Sequence, residues 1–443
     1  MSDIIAPRVL KGFRDYLPEA ENARSSLVKK LEKTFRSFGF VPIDTPSLEY
    51  AEILLGKGGG ETDKQVYRFN DNGGRDVALR FDLTVPFARF MAEHVEELYL
   101  PFRRFHVAKV WRGENTQRGR YREFMQCDFD IVGTDSASAD ADIVLVIASA
   151  MEALNVGEVR IRINHRGLFN RFLAAAGCAQ KSVAILRTVD KLEKVGRDET
   201  LAQLTAEVGA TNAAHILDFI APAETFEATL QKMFSYCASD DPEAFDAHKR
   251  LSNVYEIAQA AGYAGSIVLD PSITRGLDYY TGIVFETSLQ AMPAIGSICS
   301  GGRYNELASL YTSKKLPGVG ASVGLDRLLA ALDALGMSSS DGNAPKVMVA
   351  NQGDAAVKTL HAIASRLRGR GIAAEVYPEV KKLAAQYGYA EKKGIPYALL
   401  VDDASLAAGH YPLRDLKKRS TQVFPSFESL ADCLESALDG EDA

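Results

Sequence analysis

The stretch that decides the fold is Val110-Trp111-Arg112-Gly113-Glu114-Asn115-Thr116-Gln117-Arg118-Gly119-Arg120-Tyr121-Arg122-Glu123-Phe124-Met125-Gln126-Cys127-Asp128. Apolar and aromatic residues alternate before it, over Phe105–Trp111, and again over Glu123–Val132, which predicts two strands. Residues 113–122 between them are polar and basic and carry Gly113 and Gly119, so the whole reads as a long β-hairpin with an arginine-rich loop. Between 103 and 122 there are seven basic residues (Arg103, Arg104, Lys109, Arg112, Arg118, Arg120, Arg122) against one acid, Glu114. Such a cluster suits a polyanion: a nucleoside triphosphate, a nucleic-acid backbone, or both. A solvated hairpin with surface arginines would have the same composition. Residues of equal parity share one face of a strand. Phe124, Gln126, Asp128 and Asp130 therefore project together, placing an aromatic surface beside an amide and two carboxylates.

The flanking sequence extends this sheet. Residues 19–38 have Leu27, Leu31, Phe35 and Phe38 at helical spacing, and the helix stops at Gly39. Pro42 and Pro46 follow, so the next extended segment belongs at an edge or an interface. Val66–Phe69 and Val77–Phe81 form a hairpin around Asp71-Asn72-Gly73-Gly74. A helix over 138–155, a strand at 159–163, and strands at 267–269 and 283–287 follow the pattern. The span from about 167 to 262 is almost wholly helical and reads as an insertion. Residues 336–345 (Gly-Met-Ser-Ser-Ser-Asp-Gly-Asn-Ala-Pro) are a linker. Beyond it, strands at 346–350, 373–377 and 397–401 alternate with helices at 354–370 and 380–392. This predicts a small α/β domain of mostly parallel strands.

With 443 residues, 47% hydrophobic and 25% charged, the chain is of globular composition and long enough for about three domains. Its net charge of −7 argues against a general nucleic-acid coat but allows a local basic groove. Five cysteines without CxxC make a disulfide framework or zinc ribbon unexpected. No apolar run is long enough for a membrane span. The start, MSDIIAPRVLKG, has no apolar core of a signal peptide, so a cytoplasmic location is expected. The seven histidines are scattered and show no catalytic or metal-binding context.

Two further constellations stand out. Arg275-Gly276-Leu277-Asp278-Tyr279-Tyr280-Thr281-Gly282 sets a tyrosine pair beside a fixed cation, or else is a hairpin with aromatic packing. Ser300-Gly301-Gly302-Arg303-Tyr304 precedes Gly318-Val319-Gly320-Ala321-Ser322-Val323-Gly324-Leu325-Asp326-Arg327. There, alternate glycines let a strand approach a flat ligand, and Arg327 in the following helix can reach a phosphate. Neither this segment nor the glycine-rich Gly56–Thr62 is a P-loop, because no Gly-Lys-Ser/Thr follows. The Gly56–Thr62 segment reads as a loop over a ligand.

Together these residues resemble the class II aminoacyl-tRNA synthetases, and within them the histidyl-tRNA synthetase family, over nearly the whole chain. Arg112-Gly-Glu114 followed by Arg120-Tyr-Arg-Glu-Phe124-Met-Gln-Cys-Asp128 matches motif 2. Gly39-Phe40 with Pro46 matches motif 1, and Gly320 through Arg327 matches motif 3. Arg275-Gly-Leu-Asp-Tyr-Tyr280 and Ser300-Gly-Gly-Arg-Tyr304 match the two histidine-specific signatures. Asp326 stands where glutamate is usual. Asn115-Thr116 replaces a common Arg-Pro, and Leu399–Ser405 departs from the family's Gly-x-x-Glu stretch.

The resemblance implies an α/β protein with an α+β catalytic domain at 1–335, built on a mixed antiparallel sheet and interrupted by the helical insertion. A linker at 336–345 and an anticodon-binding α/β domain at 346–435 would follow. It implies a ligase that activates L-histidine with ATP and Mg²⁺ and transfers it to the 3′ end of histidine tRNA. The enzyme would work as a homodimer through the motif 1 helix and strand, with no zinc and no membrane partner. It implies catalytic roles for Arg275 and Arg112. Histidine would be bound by Asp82, Leu83, Thr84, Gln126, Asp130, Tyr279 and Tyr280. ATP would be bound by Arg112, Glu114, Phe124, Gly301, Gly302 and Arg327, and the tRNA acceptor stem by Gln117, Arg118 and Arg120. No protein ligand to the metal is assigned. The alternative is the non-catalytic regulatory subunit of ATP phosphoribosyltransferase. That paralogue typically lacks the C-terminal domain and degrades these motifs.

Overall fold

The long hairpin is the spine of an eight-stranded sheet. The computed structural model describes residues 4–56, 65–273, 279–337, 345–353 and 355–439. Arg275, most of the Gly56–Thr62 loop and the middle of the 336–345 linker lie outside the described residues. The chain divides into two units, Met1–Ser339 and Ser340–Ala443.

In the first unit the strands are β1 Val41–Pro42, β2 Leu48–Tyr50, β3 Arg68–Asn70, β4 Asp76–Leu79, β5 Phe102–Trp111, β6 Glu123–Val132, β7 Val159–His165, β8 Ile267–Leu269, β9 Ile283–Leu289, β10 Ser297–Arg303 and β11 Gly318–Gly324. The large sheet runs β1-β5-β6-β11-β10-β9-β7-β8, and β2-β4-β3 form a small separate one. The five strands from β5 through β9 in that order, and β7 after them, pair antiparallel. The two outermost pairings, β1 with β5 and β7 with β8, are parallel. Pro42 falls on the edge strand, where its missing N–H interrupts no ladder. The Asp71–Gly74 turn joins β3 to β4, and the Asp71 carboxylate accepts the N–H groups of Gly73 and Arg75.

Alternation along β6 separates core from site. Cys127, Phe129 and Ile131 point to the side covered by the helices Pro18–Ser37 and Ala137–Leu154. Phe35 from the first helix stacks at 4.9 Å on Phe129 and at 5.6 Å on Phe105. Burial of each such ring contributes about 1.5–3 kcal/mol. With this face fixed in the core, Phe124, Gln126, Asp128 and Asp130 are committed to the opposite face. A run of helices from Arg166 to Ala260 forms the insertion predicted between β7 and β8.

Strand β10 was not expected as a full strand, because Ser300-Gly301-Gly302 has low strand propensity. It is placed by packing: a Cβ on Gly301 would lie 2.2 Å from the Gly320 carbonyl oxygen.

The second unit has β12 Val347–Val349, β13 Ala374–Val376, β14 Tyr397–Leu399, β15 Tyr411–Asp415 and β16 Ser420–Phe424, in the order β13-β12-β14-β15-β16. The first three strands are parallel, as the sequence implies, but β14, β15 and β16 pair antiparallel. The hairpin β15–β16 escaped the sequence reading because its turn uses Arg419 at φ +54° in place of a glycine. Its last strand is also largely exposed and polar.

Candidate active site

Five carboxylates, four phenols and three guanidiniums line one cavity on the polar face of the large sheet. Its wall includes Asp82, Asp128, Asp130, Tyr279, Tyr280, Gln126, Phe124, Arg112, Arg120 and Arg327. Backbone register explains the convergence. Arg104, Asp130, Gly320 and Gly302 form one row across β5, β6, β11 and β10. His106, Asp128, Ser322, Ser300, Glu286 and Arg162 form the next, running on into β9 and β7.

The acidic end is almost wholly buried. Asp130 Oδ2 lies 2.8 Å from Arg104 Nη2, and Oδ1 accepts the Tyr304 hydroxyl at 2.5 Å. Gly320 is required beside them, since a Cβ there would sit 2.0 Å from Asp130 Oδ1. Asp82 accepts the Val85 N–H at 3.0 Å and the Tyr279 hydroxyl at 3.1 Å. Burial raises the pKa of the Asp82, Asp128 and Asp130 carboxyls. It is opposed at Asp82 by a backbone N–H and Arg112, and at Asp128 and Asp130 by Arg104. Gln126 Nε2 donates to Ser322 Oγ at 2.9 Å, while Gln126 Oε1 and Asp128 Oδ1 are buried without a partner. Tyr279 and Tyr280 meet edge to face at 5.1 Å. Both are half-buried and face the cavity. Burial raises their pKa values, so both stay protonated at neutral pH.

The basic end is built by the hairpin loop and the helix Leu325–Leu335. Arg112 Nε donates to the Phe81 carbonyl at 2.9 Å, and its guanidinium stands 5.2 Å from the Phe124 ring. Gly119, at φ +70°, closes the turn between Gln117 and Arg120, and its Cα faces the backbone of Arg327 closely enough that a Cβ would lie 3.1 Å from Arg327 Cα. Arg327 donates to the Ser297 carbonyl at 2.5 Å. Burial and the neighbouring Arg120 lower its pKa to about 10, so it remains a cation. Three guanidiniums sharing a cavity repel one another, with Glu114 as a partial counter-charge 3.5 Å from Arg120. A bound polyphosphate would relieve that repulsion.

Most of the residues expected at the site are brought together. Asp82, Thr84, Gln126, Asp130, Tyr279, Tyr280, Arg112, Glu114, Phe124, Arg120 and Arg327 all line the cavity. Leu83 does not: its side chain is fully buried, and its carbonyl accepts from Arg104. Gly301 lines an adjoining recess with Arg160, Arg162 and Ser300, and Gly302 backs the Tyr280 ring. Gln117 and Arg118 are exposed on the loop outside the cavity.

Sequence reasoning missed Arg104 and Tyr304, which grip Asp130. Only the register of β5 against β6 could have signalled Arg104. It also missed a strap formed by the N-terminal segment. Gly12 O accepts the Arg122 N–H at 2.8 Å, and Arg14 stacks at 4.2 Å on both Tyr16 and Tyr121. Asp326 accepts from Arg14, from Tyr16 and, at 2.7 Å, from the Met125 N–H.

Comparison with known proteins bears on the same residues. A family model described as Histidyl-tRNA synthetase matches residues 12–328, and one described as Anticodon binding domain matches residues 346–436. A curated Histidine--tRNA ligase from Treponema denticola is 51% identical over 411 residues, covering 91% of each chain. Another from Rhodopirellula baltica is 46% identical, covering 96% of this chain and 97% of the relative. Among solved structures, the histidyl-tRNA synthetase of Nostoc sp. PCC 7120 superposes with a TM-score of 0.89 at 30% identity, covering 98% of this chain and 100% of that one. A Bacillus halodurans protein described as an ATP phosphoribosyltransferase regulatory subunit/histidyl-tRNA synthetase shares the fold, with a TM-score of 0.73 at 21% identity over 87% of this chain and 97% of that one. Among the described residues, no helix is long and apolar enough to cross a membrane.

Proposed function

The chain belongs to the histidyl-tRNA synthetase family, and from that premise we infer how its cavity acts as a histidine–tRNA ligase. The enzyme activates L-histidine with ATP to histidyl-adenylate and transfers the histidyl group to the 3′ end of histidine tRNA. The observation that carries the assignment of residues is the polarity of one cavity. Buried acids and phenols stand at one end, and Arg112, Arg120 and Arg327 at the other.

In our reading Asp82, Thr84 and Gln126 hold the α-amino group. Asp130 and Tyr280 face the imidazole, with Tyr279 beside them. A carboxylate and a phenol suit a ring with two nitrogens, since one accepts an N–H and the other donates or accepts as needed. Phe124 stacks on adenine on the face not taken by Arg112. Arg112 grips the α-phosphate and Arg327 the γ-phosphate. Gly301, Gly302 and Glu114 belong to the ATP side. Arg275 is assigned by its sequence context to the α-phosphate. The histidine carboxylate, already ionised, attacks the α-phosphorus in line. The new P–O bond forms as the bond to the pyrophosphate oxygen breaks, and no general base is required. Positioning and charge neutralisation by these arginines supply the rate.

Mg²⁺ carried by ATP would be held by the triphosphate oxygens, with Glu114 as the carboxylate of that corner, and would supply further neutralisation. Gln117, Arg118 and Arg120 on the loop meet the acceptor stem in this reading. Residues 1–335 carry the catalysis, with the insertion at about 167–262, and 346–435 read the anticodon. Pairing of two copies through the helix Pro18–Ser37 and edge strand β1 makes the working dimer, and we place the enzyme in the cytoplasm.

The test is ATP–pyrophosphate exchange across the amino acids. Exchange should depend on histidine, and equal exchange with other amino acids would refute the assignment.

A further inference from the structure

We propose that Asp128 accepts the ring N–H of the bound histidine and so determines specificity alongside Asp130; the proposal rests on the histidine-activating reading above. Asp128 is 2% exposed, lines the cavity, and has one carboxylate oxygen, Oδ1, that is buried without any donor. Buried acceptors are rarely left unmade, so an oxygen of this kind facing a cavity marks a place a ligand completes. Ser322 on β11 lies directly opposite Asp128, and its hydroxyl opposes the effect of burial on that carboxyl. That hydroxyl in turn accepts from Gln126 Nε2 at 2.9 Å. Gln126 and Asp128 are each left with one free buried acceptor, Gln126 Oε1 and Asp128 Oδ1.

Asp130 is in a different condition. Its Oδ1 accepts the Tyr304 hydroxyl, and its Oδ2, which like Asp128 Oδ1 accepts no hydrogen bond, stands in an ion pair 2.8 Å from Arg104 Nη2. It is the better anchored of the two carboxylates and the less available. Position along the strand points the same way. Gln126, Asp128 and Asp130 share one face, at successive steps of about 6.7 Å. An amino acid whose ammonium lies against Asp82 and Gln126 carries its side chain over Asp128 before it reaches Asp130. Tyr279, Tyr280 and Asp128 line the same cavity. The groups facing Asp128 are His106 on β5, Asp130 on β6 and Ser322 on β11, with Arg104, Arg80 and Asp82 close enough to act through their charge.

The experiment measures ATP–pyrophosphate exchange in wild type and Asp128→Asn, together with inhibition by imidazole-4-propionate, which keeps the ring and lacks the ammonium. In Asp128→Asn the KM for histidine and the inhibition constant of imidazole-4-propionate should rise by the same factor, about tenfold or more, with the KM for ATP within twofold of wild type. An unchanged histidine KM overturns the proposal. So does a rise confined to histidine, which would place the contact at the ammonium. Absence of histidine-dependent exchange in the wild type would instead refute the function on which the proposal rests. Ser322→Ala, which removes the hydroxyl opposite Asp128, is the companion if the Asn variant does not fold. Its histidine KM should rise severalfold, and a wild-type value counts against the assignment.

Discussion

Arg14 donates to Asp326 across 312 residues of sequence, Nη2 to Oδ1 at 2.8 Å. The contact ties the N-terminal segment to the helix that carries Arg327 and, through the Met125 N–H, to the strand that carries Phe124 and Gln126. Asp326 is 2% exposed, so these donors take the place of water around its carboxylate. The Arg14 guanidinium is also sandwiched between Tyr16 and Tyr121.

Replacing Arg14 with alanine should therefore loosen the hairpin loop and leave a buried carboxylate short of a charged donor, at a cost of about 1–3 kcal/mol. Urea unfolding reads that loss, and a severalfold rise in the KM for ATP reads the loosened loop. Arg14→Lys should not restore either, because a lysine keeps the charge but cannot stack between two rings. Wild-type values in Arg14→Lys would show that charge alone is at work.

Gly320→Ala should act at the opposite end of the cavity. Its Cβ would fall 2.0 Å from Asp130 Oδ1, so the carboxylate must leave Tyr304 or Arg104, or the strand must shift. Overpacking of this kind costs about 1–3 kcal/mol. Steady-state exchange should show the KM for histidine rising at least about tenfold, with the KM for ATP little changed. Equal effects on both substrates would mean that the sheet as a whole had moved.

What the sequence could and could not reveal follows from these contacts. The period-two pattern around Gln126 and Asp128 gave the strand, its two faces and the row of polar residues, because local alternation is all that a strand face requires. The Arg-Gly-Glu and Gly-Leu-Asp-Arg stretches led to the basic end through resemblance. Arg104 and Tyr304 stayed hidden because their partner is reached only through strand pairing and a crossover. No local pattern records that Phe105 belongs to the core and Arg104 to the site. The Arg14–Asp326 strap was hidden for the same reason, and Leu83 was misplaced because a motif assigns a segment while burial decides which of its side chains reaches the cavity. The hairpin at 411–424 was missed because its turn lacks the usual residues.

The two ends of the cavity should separate kinetically at the arginines. Arg327→Ala should raise the KM for ATP with a smaller effect on kcat, since a γ-phosphate contact is made in the ground state as well as the transition state. Arg112→Ala, beside the reacting phosphorus in our assignment, should lower kcat by about 10²–10³. Exchange kinetics at saturating histidine distinguish the two. If Arg112→Ala changed only the KM for ATP, the residue would be a binding group rather than a catalytic one.

His165 makes a prediction about stability rather than rate. It is buried at the end of β7, with its ring against Gly167 and its Nδ1 without a partner. Burial, helped by the positive charges of Arg250 and Arg303, lowers its pKa to about 4 from the ordinary 6.5. The folded protein therefore holds a neutral ring, while the unfolded chain takes up a proton below about pH 6.5. The sign follows: between about pH 6.5 and 4 the unfolded state binds more protons, so stability falls as the pH is lowered through that window, at about 1.4 kcal/mol per unit. His165→Phe keeps a ring of similar size without a titrating nitrogen. Urea unfolding at pH 7 and pH 5 should show a pH-dependent loss in wild type that exceeds the loss in the variant by about 2 kcal/mol. His106, buried and also held neutral, contributes equally to both proteins and cancels. Identical losses in the two would mean that His165 is already protonated in the folded state or reaches solvent before the chain unfolds.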